Sequence, residues 1–121
     1  MGARIFYVFK DESDLAVTLY SHWGQDTWQP DLAAALEHAR PRWSDSSYGT
    51  RMMISHLTQN NFLHEYGFGL HAINVTQGYD LGEQTVVIDF TNKTVTDFDN
   101  GAVPVDWDNF VNAYGLISLE V

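Results

Sequence analysis

His22 and Trp23 are the residues whose types and placement best support chemistry in this chain. They sit in Ser21-His22-Trp23-Gly24-Gln25, a loop leaving a predicted strand and entering a predicted helix, which is a usual place for working groups. An imidazole beside an indole can bind a ligand or titrate against one near neutral pH. The helix expected to start near Trp28 aims free backbone N–H groups toward the loop, a favourable place for an anion. The alternative role is structural, with Trp23 plugging the end of the core and His22 capping a turn. Gly24 supplies a positive φ in either case.

Five histidines without a cysteine raise the question of a metal. His56, His64 and His71 are eight and seven residues apart, and His22 and His38 sixteen, whereas two ligands on one helix face need four. No H-E-x-x-H occurs, so the expectation is no metal and no cofactor, with His56 a half-buried histidine on the apolar side of its helix. Candidates for a nucleophile or general base are Ser21, Ser55, His22, His71, Asp89 and Glu65, but none lies in a G-x-S-x-G elbow. Gly67-Phe68-Gly69 is too short to cradle a phosphate. His71 shares a strand face with Gly67, Gly69 and Ile73, where glycines allow a ligand or helix to approach closely. Asp89 alternates onto the face opposite Ile88 and Phe90, as a solvent-facing strand residue.

These side chains need a scaffold, and 121 residues with 45% hydrophobic content predict one domain over 1–121 with its own core. Residues 3–9 and 15–20 are β-branched and aromatic runs around a polar turn, which reads as a hairpin. Trp28, Leu32, Leu36 and Ala39 have helical spacing, Pro30 fits a first turn, and Pro41 stops the helix. A second helix starts near Ser44 to Ser46 and runs to about Gln59, with Tyr48, Met52, Met53 and Leu57 on one side and Arg51, Ser55 and Thr58 opposite. Strands are predicted at about 66–75, 84–90 and 93–98 as an antiparallel meander. An extended piece then leads to a helical turn or two, capped by Asp106 and ending before Gly115. The order ββ-αα-βββ-α predicts an α+β fold: an antiparallel sheet of about five strands with helices on one face. Trp28, Leu36, Met53 and Val87 are expected in one core.

Sixteen acidic residues against six basic ones give a net charge of −10, of which −7 falls from Asp80 onward, with Lys93 the sole base there. Such a field repels nucleic acid and anionic lipid and attracts basic protein surfaces or cations, and it also simply favours solubility. The absence of cysteine fits a reducing compartment, and no signal peptide or membrane span is readable. Asn74-Val75-Thr76 and Asn92-Lys93-Thr94 would accept glycans only in a secretory compartment that nothing else indicates.

Tyr20 to Gly24, Arg42-Trp43, Tyr48 with Arg51, Gly67-Phe68-Gly69, and the hairpin from Val87 to Val95 together resemble a group of small phage and prophage proteins of unassigned function. That group has a hairpin ending in Tyr/His-Ser-His-Trp-Gly-Gly, a helix with Leu-Pro near its start, Arg-Trp, a Tyr-x-x-Arg helix and a Gly-Tyr/Phe-Gly strand. The resemblance spans residues 15 to 98; Gln25 stands in place of the second glycine, and residues 99–121 have no counterpart. It implies a phage or prophage origin and supplies no reaction; with no cysteine and no readable signal peptide, the expected setting is the host cytoplasm.

The favoured expectation is a phage accessory protein that binds. Its partner is a host or defence protein with a basic surface, met through the acidic surface, or a small anionic ligand at the His22 loop, with Tyr20, His22, Trp23, Gly24, Arg51 and His71 as the candidate binding residues. A small hydrolase or nuclease using His22 with a second histidine, and a self-associating assembly component, remain open. An enzyme needs convergent polar groups in a pocket, a protein binder an exposed aromatic patch beside acidic residues, and a self-associating component a large apolar interface.

Overall fold

The computed structural model describes residues 4–22 and 25–119. The first hairpin forms as expected, from β1 (Ile5–Lys10) and β2 (Leu15–Ser21). Its turn is closed by side chains, with Ser13 N donating to Asp11 Oδ1 at 2.8 Å and Leu15 N to Ser13 Oγ at 3.0 Å. Helix α1 (Trp28–His38) carries Pro30 in its first turn, and Arg40-Pro41-Arg42 turns the chain after it. Helix α2 (Ser46–Leu57) is capped by Asp45, whose Oδ1 accepts from Tyr48 N at 3.1 Å.

Strands β3 (Phe68–Asn74), β4 (Gln84–Asp89), β5 (Thr94–Asp97) and the two-residue β6 (Val105–Asp106) complete a six-stranded sheet in the order β3-β2-β1-β4-β5-β6. The fold is α+β, with a mostly antiparallel sheet covered by helices on one face. One pairing corrects the expected meander. β3 does not touch β4 but pairs with β2 at the sheet edge, and β4 lies parallel to β1 in the middle. The 75–83 segment carries the chain between them, packing Val75, Tyr79 and Leu81 on Val8, Ala16 and Val87 across the face away from the helices. Strands β3 and β4 run parallel with two strands between them, so the chain must cross over, whereas a hairpin turn would have made the meander.

The main core lies between sheet and helices. Ile5, Tyr7, Phe9, Leu19, Val86, Ile88 and Val95 from the strands meet Trp28, Leu32 and Leu36 of α1, Met53 of α2, and Trp107 and Phe110 of the last helix, α3 (Trp107–Leu119). Val87 is not among them, because alternation along β4 turns it to the opposite face and into the smaller cluster. The last helix also exceeds expectation: Asp106 Oδ1 accepts from Asn109 N at 2.7 Å at its start, but the helix continues through Gly115. Among the described residues, no helix is long and apolar enough to cross a membrane.

Candidate functional site

The predicted site residues divide between the two sides of the sheet. Tyr20 and His71 point to the face without helices, in register with Gly69 and Thr18 respectively. The Tyr20 hydroxyl and His22 Nδ1 are 2.9 Å apart, and the Phe6 ring links the group, lying 5.3 Å from the Tyr20 ring and 5.7 Å, edge-on, from His71. Tyr20, His22 and His71 are therefore brought together. Arg51 is not: it is exposed on α2, in the layer on the other side of the sheet, and donates to Ser55 Oγ at 3.3 Å. Trp23 and Gly24 lie outside the described residues.

Ser21 faces the helix side beneath this corner, in a cavity of about 180 Å³ that Tyr7, Asp31, Asn60 and Asn61 also line. Burial raises the pKa of the Tyr7 phenol, and the nearby Asp31 carboxylate raises it further. Asp31 also accepts from Thr27 Oγ1 at 2.8 Å in the first turn of α1, where it complements the helix dipole. Among the described residues the cavity is lined by one carboxylate and by no Lys, Arg or His, which does not suit a small anion.

The remaining candidates have local work. Asp89 is half-buried, and its carboxylate organises the β4–β5 turn by accepting from Thr91 N at 2.8 Å and Asn92 N at 3.2 Å. His38 and His56 face each other between α1 and α2 with ring centroids 5.4 Å apart. His56 is half-buried as expected, and its pKa is lowered by burial and then by His38, against an opposing pull from Asp31. Among the described residues, no group of three or more His, Cys, Asp or Glu side chains is placed to hold a metal ion.

The sequence reading missed a groove at the opposite edge of the sheet. After β5, the Asp97 carbonyl accepts from Asn100 N at 3.2 Å and Ala102 N at 3.1 Å, forming a turn in which Gly101 and Ala102 take φ of 91° and 54°. Ala102 pays for its left-handed conformation with about 1–2 kcal/mol. The turn leaves Val103 70% exposed and Val105 40% exposed on one lip of a groove of about 230 Å³. Trp28 of α1 and Phe110 and Tyr114 of α3 form the other wall, and Asp97 brings the groove a carboxylate. Both Asp97 oxygens accept from neutral donors, Gln84 Nε2 at 3.1 Å and Asp99 N at 3.0 Å, which leaves the negative charge uncancelled. Asp99 and Asp106 stand on the same edge. Nearby cations are engaged elsewhere: Lys93 Nζ donates to Phe90 O at 2.8 Å, and Arg40 bridges Glu37 and Asp108. The available signal was Val103-Pro104-Val105, two apolar residues two apart in a short extended piece whose proline suits a sheet edge.

Neither a protein-family model, nor a curated protein, nor a solved structure matches this chain.

Proposed function

We propose that the protein works by binding, and that its working site is the groove between α3 and the β5–β6 edge, occupied by a basic segment of a partner protein with an apolar anchor. The observation that carries this reading is the pairing of exposed Val103 and Val105 with the Asp97 carboxylate in one groove. Apolar walls give an anchor its desolvated pocket, and the carboxylate and its acidic surroundings select Lys or Arg beside that anchor. The strained Ala102 turn supports it, since backbone strain persists where the surrounding structure holds it and clusters at binding sites. The phage resemblance supplies the setting, an accessory protein acting on a host or defence protein in the host cytoplasm.

Affinity capture from bacterial lysate, with the wild-type protein and a Val103→Ser, Val105→Ser variant, tests the reading. Both valines are partly exposed, Val103 to 70% and Val105 to 40%, and circular dichroism matching the parent's checks that the variant keeps the fold. A basic protein retained by the wild type, lost from the variant and released by salt is the expected result. Equal retention by both proteins contradicts it.

A further inference from the structure

We infer that β3 is the seam of a homodimer, in which two copies pair their β3 strands antiparallel and join their six-stranded sheets into one. Strand β3 ends the sheet opposite β6. The β2–β3 ladder fixes which of its backbone groups are available. His22 N donates to Gly67 O and Val75 N to Asp14 O, each at 2.8 Å, and bonded pairs alternate along an antiparallel ladder. Gly69, His71 and Ile73 therefore bond to β2, and the N–H and C=O groups of Leu70 and Ala72 point outward. Among the described residues, nothing pairs with them.

Proteins usually protect such an edge with charge, proline, a bulge or a short strand. Phe68–Asn74 has none of these: it is seven residues long, carries no Pro, Lys, Arg, Asp or Glu, and pairs with β2 in unbroken register. A two-fold axis at His71 sets Leu70 of one copy opposite Ala72 of the other, so outward groups meet outward groups and each such pair exchanges two hydrogen bonds.

The surroundings choose a second copy as the occupant. Leu15, Val17, Leu70 and Ala72 lie exposed on the helix side of the sheet, beyond the cover of the helices. Phe62, Leu63 and Tyr66, in the segment that precedes β3, are also exposed, Leu63 to 85%. The two-fold operation carries this segment toward the far end of the second copy's β3, where Leu15 lies opposite Asn74. Charge agrees. From Thr58 to Tyr79 the chain has Glu65 as its one carboxylate and no Lys or Arg, whereas the acidic β5–β6 edge is at the other end of the sheet. A basic partner gains little at β3, while two copies of net charge −10 meet there with their acidic edges farthest apart.

Sedimentation analysis of the full chain over a series of concentrations, with amide hydrogen exchange, tests the seam. Leu70→Lys and Ala72→Lys place a charge at the seam on side chains that are exposed in the single chain. The wild type is expected to be a dimer with slowed exchange at the Leu70 and Ala72 amides; both variants should be monomers with the parent's circular dichroism. A wild type that stays monomeric at every concentration overturns the inference. So does a dimer that survives both substitutions, or a wild-type dimer whose Leu70 and Ala72 amides exchange freely. The Val103→Ser, Val105→Ser variant should remain a dimer, so failure of the seam and failure of the groove are told apart.

Discussion

The ring of Phe90 fills the space in which a side chain at Gly49 would lie. A Cβ on residue 49 would sit 2.7 Å from Phe90 Cε2 and 2.8 Å from the backbone oxygen of Arg42. Glycine inside a helix costs about 1 kcal/mol relative to alanine, so α2 accepts a weaker helix to let Phe90, just after β4, and the turn before α2 close on it. Gly49→Ala would regain that propensity but must push against a backbone carbonyl, and overpacking typically costs about 1–3 kcal/mol. The expected result is a lower urea midpoint; an unchanged or raised midpoint would show that the contact relaxes freely.

Leu36 is fully buried between α1 and the sheet. Leu36→Ala removes buried side-chain contacts and leaves a cavity that its neighbours fill only in part, a loss of about 2–5 kcal/mol. Equal denaturant midpoints for variant and parent would contradict the packing described.

How far the sequence reveals this arrangement depends on which forces are local. Helices α1 and α2 were legible because the apolar period, Pro30, Pro41 and the run of capping residues from Ser44 to Ser46, of which Asp45 serves, all act within a few residues. The β1–β2 hairpin was legible for the same reason. Strand pairing was not, because identical local signals serve a meander and a crossover. The length of 75–83, with Val75, Tyr79 and Leu81 spaced along it, was the clue that it packs across a face. Val87 was misplaced for a separate reason, since a β-strand pattern does not say which face has the larger core. At the candidate sites, Tyr20, His22 and His71 come together only through the β2–β3 pairing, which the local pattern does not reveal, while Arg51 sits across the sheet and the groove depends on a turn that brings Val103 and Val105 beside α3.

Two groups predict a stability that falls with acid in separate ranges. His56 has a lowered pKa from burial and from His38. Between the ordinary imidazole value of about 6.5 and that lowered value, the unfolded chain binds the extra proton and the folded one does not, so stability falls as pH falls. Asp11 is lowered chiefly by Ser13 N and also by the Ser46 hydroxyl, which donates to its Oδ2 at 2.8 Å. Its contribution is present above the unfolded aspartate value of about 3.9 and is lost as pH falls through the lowered folded value. Denaturant midpoints across pH should show His56→Gln flattening the upper range and Ser46→Ala the lower. Unchanged profiles in both variants would refute these assignments.

Chelation is expected to leave the melting temperature unchanged, since among the described residues no set of metal-ligating side chains is assembled. A drop beyond about 5 °C, roughly what 1 kcal/mol gives a small domain, would contradict this.

The most direct test of the groove is selection from a random peptide display library on the immobilised protein, run in parallel on the Val103→Ser, Val105→Ser variant. Losing an apolar anchor at the centre of an interface commonly costs about 2 kcal/mol or more, which is about thirtyfold or more in affinity. The expected result is enrichment, on the wild type alone, of peptides that place Lys or Arg beside a large apolar residue. Enrichment of acidic peptides, or of the same peptides on both proteins, would contradict the account.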